Sequence, residues 1–440
     1  MQTSTIEPLK IVIPGEYYDS QIYDGKLYLW GANSSISVLN WNGLVENINI
    51  EDNLKLVLKF AIQYGDDLYS NLLFQEPDIK DIILTKFKKL VKNPIEISHN
   101  LVVNHTVSEK DNPLPFPHAD SSIHYKTVYV GSQSGISHFN SNSQLDEFSK
   151  IKTKKISDLP VLSLSASHLT LALAAGSEGL FDYYIGEKSN DKQHEPRCIN
   201  EHNSNFVRWL YPSVFSSSYF DESYFADFKI TKKRKNKPRE SMISENQPRL
   251  LYNTEITREI ENLDASIITS EKVEKQPETD TRYFQKLFSV NEIFETFDNN
   301  NEKNNQIPEI TWGTHDKIYL VKKDHIQLAK CNPTKRNEKQ KFIDIGSVEL
   351  EKTLTEIISA DSSFFGIVLE QDDGLLIITS MGQYISLPGE PINWRVFPNS
   401  KNYTNQLHVI YEDSIHIYSF NHDFFVNQAD KKIGISFGKK

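Results

Sequence analysis

Cysteine is nearly absent: Cys198 and Cys331 are the only two in 440 residues. So sparse a set excludes a disulfide framework and suits a reducing compartment. No stretch reaches the ~18 consecutive apolar residues that a membrane-spanning helix needs, so no membrane contact is expected. Residues 1–10 lack the basic start and apolar run of a secretion signal. The expected location is cytoplasmic, or nuclear if the source is a eukaryote. Cations are in deficit, with 48 Lys and Arg against 59 Asp and Glu, a formal charge of −11. A chain of that sign repels nucleic acid at long range, so any such contact must be local. Asn104-His105-Thr106 and Asn402-Tyr403-Thr404 match the glycosylation pattern, but without a secretion signal they read as chance matches.

Motifs that carry chemistry are also missing. Neither a Gly-rich phosphate loop nor a dinucleotide fingerprint occurs, and no Gly-x-Ser-x-Gly nucleophile elbow is present. Gly131-Ser132-Gln133-Ser134-Gly135 comes nearest to the elbow, but apolar strands flank it on both sides and it reads as a hairpin turn. His194, Cys198 and His202 offer zinc-compatible atoms at helical spacing. Pro196 interrupts a helix there and no fourth ligand follows, so a polar loop is expected and no metal. Asp372-Asp373 precedes Gly374, where turn chemistry explains the carboxylates. No catalytic residue and no cofactor is assigned.

What the chain has is aromatics, 11% of residues with 24 Phe and 20 Tyr, which suit pleated, half-buried surfaces. They sit in a recurring unit: a short alternating strand, a tight turn with Gly, Asp or Asn, and a second strand. Lys26–Gly31 leads to Ile36–Leu39, Thr127–Ser132 to Ile136–Phe139, and Leu169–Ala175 to Leu180–Tyr183. Ile310–Thr314 leads to Ile318–Val321, Phe364–Leu369 to Leu375–Ile378, and Leu407–Tyr411 to Ile415–Tyr418. A weaker seventh spans Phe206–Tyr211 and Val214–Phe215. Alternation places one face of each strand on a core. Gly and Asp tolerate the positive φ of a hairpin turn.

Starts at 127 and 169 lie 42 residues apart, and those at 364 and 407 lie 43 apart. A propeller blade repeats about every 40–50 residues. The 54 residues from 310 to 364 fit one blade with the polar loop 332–341 enlarged. The pattern predicts an all-β protein, a β-propeller of about seven four-stranded blades spanning 1–440. On this spacing and hairpin pattern the chain resembles the broad WD40-like propeller class, although the Gly-His and Trp-Asp dipeptides of that class are absent. Ring closure is expected from Ile11-Val12-Ile13 sharing a blade with Ile433-Gly434-Ile435-Ser436-Phe437.

Two insertions interrupt the repeat. Residues 54–93 read as helical, with Ile79, Ile82, Ile83, Phe87, Leu90 and Val91 on one face and Pro94 ending the run. This pair is expected to cover the propeller rim, with partner docking as the alternative. Residues 229–306 read as a linker carrying a basic run (Lys232, Lys233, Arg234, Lys235, Lys237 and Arg239) with no acid between. No aromatic interleaves it to stack on bases. Thr281 to Phe297 then reads as an amphipathic helix, docking in a groove or folding back on its own propeller.

Phe206-Val207-Arg208-Trp209-Leu210 resembles Asn393-Trp394-Arg395-Val396-Phe397. Arg208, Trp209, Trp394 and Arg395 are therefore the candidate protein-interaction residues, since Arg and Trp anchor interfaces; internal packing is the favoured alternative. The expected role is a non-enzymatic interaction scaffold with a protein partner. A nucleic-acid-associated subunit using 229–239 is one alternative. An enzyme or ligand-binding propeller with its site at the channel mouth is the other.

Overall fold

Every hairpin found in the sequence belongs to one of seven sheets, six of four antiparallel strands and one of four antiparallel strands with a short fifth. A computed structural model describes residues 7–140, 153–167, 169–186, 195–210, 212–219, 221–231, 281–297, 310–322, 325–332, 341–350 and 357–425. The propeller unit is built from 1–185, 193–228 and 284–440; a second unit, 186–192 and 229–283, falls almost wholly outside the described residues. The first strands of the seven sheets are Tyr17–Tyr23, Asp120–His124, Ser163–Ser167, Phe206–Leu210, Thr311–Thr314, Ile357–Ser363 and Asn393–Val396. They define blades 1 to 7 in that order. Each first strand touches the first strand of the next blade, and blade 7 returns to blade 1. The chain is a seven-bladed propeller.

The core lies between blades rather than inside one. Tyr28, Trp30 and Val38 of blade 1 meet Val128, Val130 and Phe139 of blade 2. Ala172, Ala174 and Leu180 of blade 3 meet Val207, Trp209 and Phe228 of blade 4. Because both faces of a blade are covered, strands such as Thr170–Ala174 and Lys317–Val321 are buried along their whole length. Each large apolar side chain enclosed this way contributes roughly 2–3 kcal/mol. Tight turns set the register. Gly135 adopts φ +111°, and a Cβ there would stand 2.0 Å from the Ser157 carbonyl oxygen.

Closure uses the strand Leu9–Pro14, which pairs antiparallel with Ser414–Ser419, Ile11 opposite Ile417 and Ile13 opposite Ile415. The expected closing segment, Ile11–Ile13, is therefore in blade 7. Its neighbour there is Ser414–Ser419, and 433–437 lies outside the described residues. Two further differences from the sequence reading have clear causes. The hairpins at 206 and 310 are strands one and two of their blades, whereas the others are strands two and three. That change of phase lengthens the 310-to-364 interval. Thr281–Ser289 is the fourth strand of blade 4, not a helix, and only Val290–Glu295 is helical. Pairing with the third strand of blade 4, Tyr224–Thr231, overrode the helical spacing: Phe284 and Leu287 pack on the core between blades 3 and 4, and Phe294 is buried.

The first insertion lies between the third and fourth strands of blade 1. It holds α1 (Trp41–Glu46), α2 (Asp52–Ile62), α3 (Gly65–Ser70), α4 (Pro77–Leu90) and α5 (His99–His105). Asn40 caps α1 by accepting from the Gly43 N–H, and Pro77 opens α4 where no amide partner is needed. Ile83, Phe87 and Leu90 are buried as the spacing predicts, while Ile82 is exposed. Between α4 and α5, Ile95–Glu96 adds a fifth strand to blade 7, parallel to the closing strand. Asn405 and Ser419 of blade 7 both donate to the Ala61 carbonyl of α2. The insertion thus overlies the seam where the ring closes.

Candidate functional site

The first strands enclose a channel with a volume of about 1360 Å³. Since every blade repeats one strand order, the inner strands run through the channel in one sense. Their starts gather at one mouth, here called proximal, and their ends at the other, distal.

A recurring dipeptide positions the channel's charges. Asp19-Ser20, Asp120-Ser121 and Asp361-Ser362 stand on the inner strands of blades 1, 2 and 6. In each, the serine N–H donates to the preceding carboxylate, at 2.8, 2.8 and 2.7 Å. Two arginines answer them. Arg395 of blade 7 donates from Nη2 to Asp19 at 3.0 Å and to Asp120 at 3.1 Å, and from Nη1 to the Ser121 carbonyl at 3.0 Å. Arg208 of blade 4 donates to Asp361 of blade 6, which also accepts from Thr314 of blade 5 at 3.4 Å.

Further joints use neutral donors. Ser163 of blade 3 donates to Asp120 at 3.0 Å, and Gln21 of blade 1 donates to the Ser121 carbonyl at 2.9 Å. Trp209 N–H donates to Ser165 at 3.1 Å, and the Trp312 indole donates to Ser362 at 3.1 Å. The Trp394 indole of blade 7 donates to Glu370 of blade 6 at 2.8 Å. The inner wall is thus a belt of hydrogen bonds stitching blade to blade.

Burial opposes ionisation of Asp19, but Arg395 and the His118 imidazole, 2.9 Å away, outweigh it and hold the carboxyl well below the usual range. Burial works against the Arg395 charge, and Asp19 and Asp120 more than restore it. At Asp361 burial wins over Arg208, and the carboxyl is raised. His408, buried behind Arg395, is driven down to about 3 by burial and then by that arginine's charge. These shifts belong to ionic joints between blades, which perturb titration as strongly as catalysis does.

Of the interaction candidates, Arg208 and Arg395 reach the channel wall, where both hold carboxylates of other blades. Trp209 is buried between blades 3 and 4 and packs rather than docks. Trp394 is half-buried at the proximal mouth. The basic candidates Lys232, Lys233, Arg234, Lys235, Lys237 and Arg239 lie outside the described residues, as does His194. His202 stacks on Tyr224, with ring centroids 4.9 Å apart. No group of metal-ligating side chains occurs among the described residues.

Sequence reasoning missed the feature that distinguishes the proximal mouth. Four large apolar side chains stand exposed around it: Leu162 (39%), Tyr219 (73%), Ile358 (47%) and Ile392 (55%). Partly buried Phe206, Ile310 and Trp394 fill the gaps. Leu162, Ile310 and Ile392 each immediately precede an inner strand, a recurrence visible only once those strands are aligned. Ile358 is aimed differently. The ladder pairs Ile357 with Gln371 and Ser359 with Glu370, so Ile358 is the extra residue of a bulge. Together they form an apolar collar contributed by blades 3 to 7.

No protein-family model matches the chain, and no curated protein matches it in sequence. Among solved structures it is similar to the Neurospora crassa Pan2 WD40 domain, at 6% identity, over 95% of this chain and 97% of that one, with a TM-score of 0.46. It is also similar to the Myceliophteria thermophila Cps50 (Swd1) β-propeller domain, at 9% identity, over 69% and 96%, with a TM-score of 0.36. A third is the WD40 propeller domain of Doa1, at 10% identity, over 70% and 95%, with a TM-score of 0.31. Such distant likenesses add nothing to what the strand order itself shows.

Proposed function

We propose that this chain is a non-enzymatic protein-interaction scaffold whose docking surface is the apolar collar at the proximal mouth. The collar carries the reading: exposed and partly buried apolar side chains from five blades line one opening, and apolar surface of that kind marks interaction sites. The channel arginines and their aspartates support it from the other side. Each is already bonded to another blade, so the wall is built to hold a rigid ring. Two reduced thiols, Cys198 and Cys331, fit work in the cytoplasm.

The test is copurification of a tagged chain carrying Ile358→Ser and Ile392→Ser. The double variant melts with the wild type and loses the wild-type chain's stoichiometric partner. Undiminished recovery of that partner, or a wild-type chain that copurifies with none, contradicts the reading.

A further inference from the structure

The flank of the collar at blade 4 is acidic. Asp221 and Glu222 lie between the second and third strands of that blade, two and three positions after Tyr219. The helix Val290–Glu295, α6, follows its fourth strand and adds Glu292 to the same proximal side. Ser289 ties the two segments, donating to Glu222 and capping α6 through the Glu292 N–H at 3.2 Å. Burial, then Glu222, Asp221 and Glu292, push the Tyr224 phenol above its ordinary value, so these carboxylates share one locality. Glu370, across the mouth, receives only the neutral donors Ser359 and Trp394. Among the described residues no cation forms an ion pair with Asp221, Glu222, Glu292 or Glu370, whereas the channel carboxylates below are paired.

We infer that the occupant of the collar is an extended protein segment that alternates apolar side chains with Lys or Arg. This rests on the docking reading above and names the partner's chemistry. The apolar residues cover Ile358, Ile392 and Leu162, and the cations sit over Asp221, Glu222 and Glu292. The acidic rim also argues against other occupants. It repels the phosphates of a nucleic acid, and it repels the same rim of a second copy set face to face.

The experiment measures fluorescence anisotropy of three labelled decapeptides: alternating Leu and Arg, Leu and Ser, and Leu and Glu. The Leu/Arg peptide binds about tenfold tighter than the Leu/Glu peptide, as a few rim charge pairs permit. The gap narrows as salt is raised. A chain with Asp221→Asn, Glu222→Gln and Glu292→Gln melts normally and loses the preference. Equal binding of all three peptides, or a preference that survives the triple variant, overturns the inference. If equal binding disappears in the Ile358→Ser, Ile392→Ser variant, docking at the collar stands and only the partner's charge is wrong. If Leu/Arg binding survives that variant, or if no peptide binds, the docking reading falls as well.

Discussion

Arg395 of blade 7 grips Asp19 of blade 1 at 3.0 Å, across the seam where the ring meets itself. The same guanidinium holds Asp120 of blade 2 at 3.1 Å. One side chain therefore fixes three consecutive blades, and its loss leaves the buried Asp19 and the partly buried Asp120 without their shared cation. Removing one partner of such a pair costs about 3–5 kcal/mol. Arg395→Met should lower stability by that amount in urea titrations. Adding Asp19→Asn should recover part of the loss, because one stranded charge disappears. A single variant with wild-type stability would show that the latch does not hold the ring.

The N-terminal strand makes a second prediction. Leu9, Ile11 and Ile13 are fully buried in the seam, packed with Ile415, Ile417 and the helical insertion. Deleting residues 1–14 exposes the edge of Ser414–Ser419 and removes three buried aliphatic side chains, roughly 2 kcal/mol each. The truncated chain should melt well below the full chain and aggregate through the open edge. An unchanged melting temperature would rule out closure by this strand.

His408 links stability to pH. Its pKa falls from the usual 6.5 to about 3 in the folded chain. Between those values the unfolded chain binds a proton that the folded chain refuses, so stability falls as pH falls through that window. At pH 5 the contribution of this histidine amounts to about 2 kcal/mol. Half-buried His416, lowered to about 4, acts in the same direction. Asp361, raised by burial, opposes them; Asp19, lowered, weakens the fold only below the ordinary aspartate range. Chemical denaturation at pH 7 and pH 5 should show this loss, and His408→Gln should remove its own share and leave that of His416. An equal slope in the variant would place the pH sensitivity elsewhere.

Hairpins were legible in the sequence because a period of two and a turn residue are local signals. Lys26–Gly31 with Ser35–Asn40, and Gly366–Gln371 with Gly374–Thr379, stand in the structure as the pattern predicted. The fourth strand of blade 4 was not legible: Phe284, Leu287 and Phe288 also fit a helical face, and only the neighbouring strand decides between the two. Arg208 and Arg395 stood out as a recurrence, yet their roles depend on Asp361, Asp19 and Asp120, which lie 153, 376 and 275 positions away. The repeated Asp-Ser dipeptide was the available clue. Ile358 was the hardest residue to read, because a bulge sets its direction and no residue type announces a bulge.

The scaffold reading is tested most directly by site-specific photocrosslinking in the native host. A photoreactive residue replaces Ile392 in the collar, and in a control chain replaces Ile343, exposed on the outer strand of blade 5. The account predicts a discrete protein adduct from position 392 and none from position 343. Adducts of equal yield from both positions, or no adduct from position 392, would contradict it.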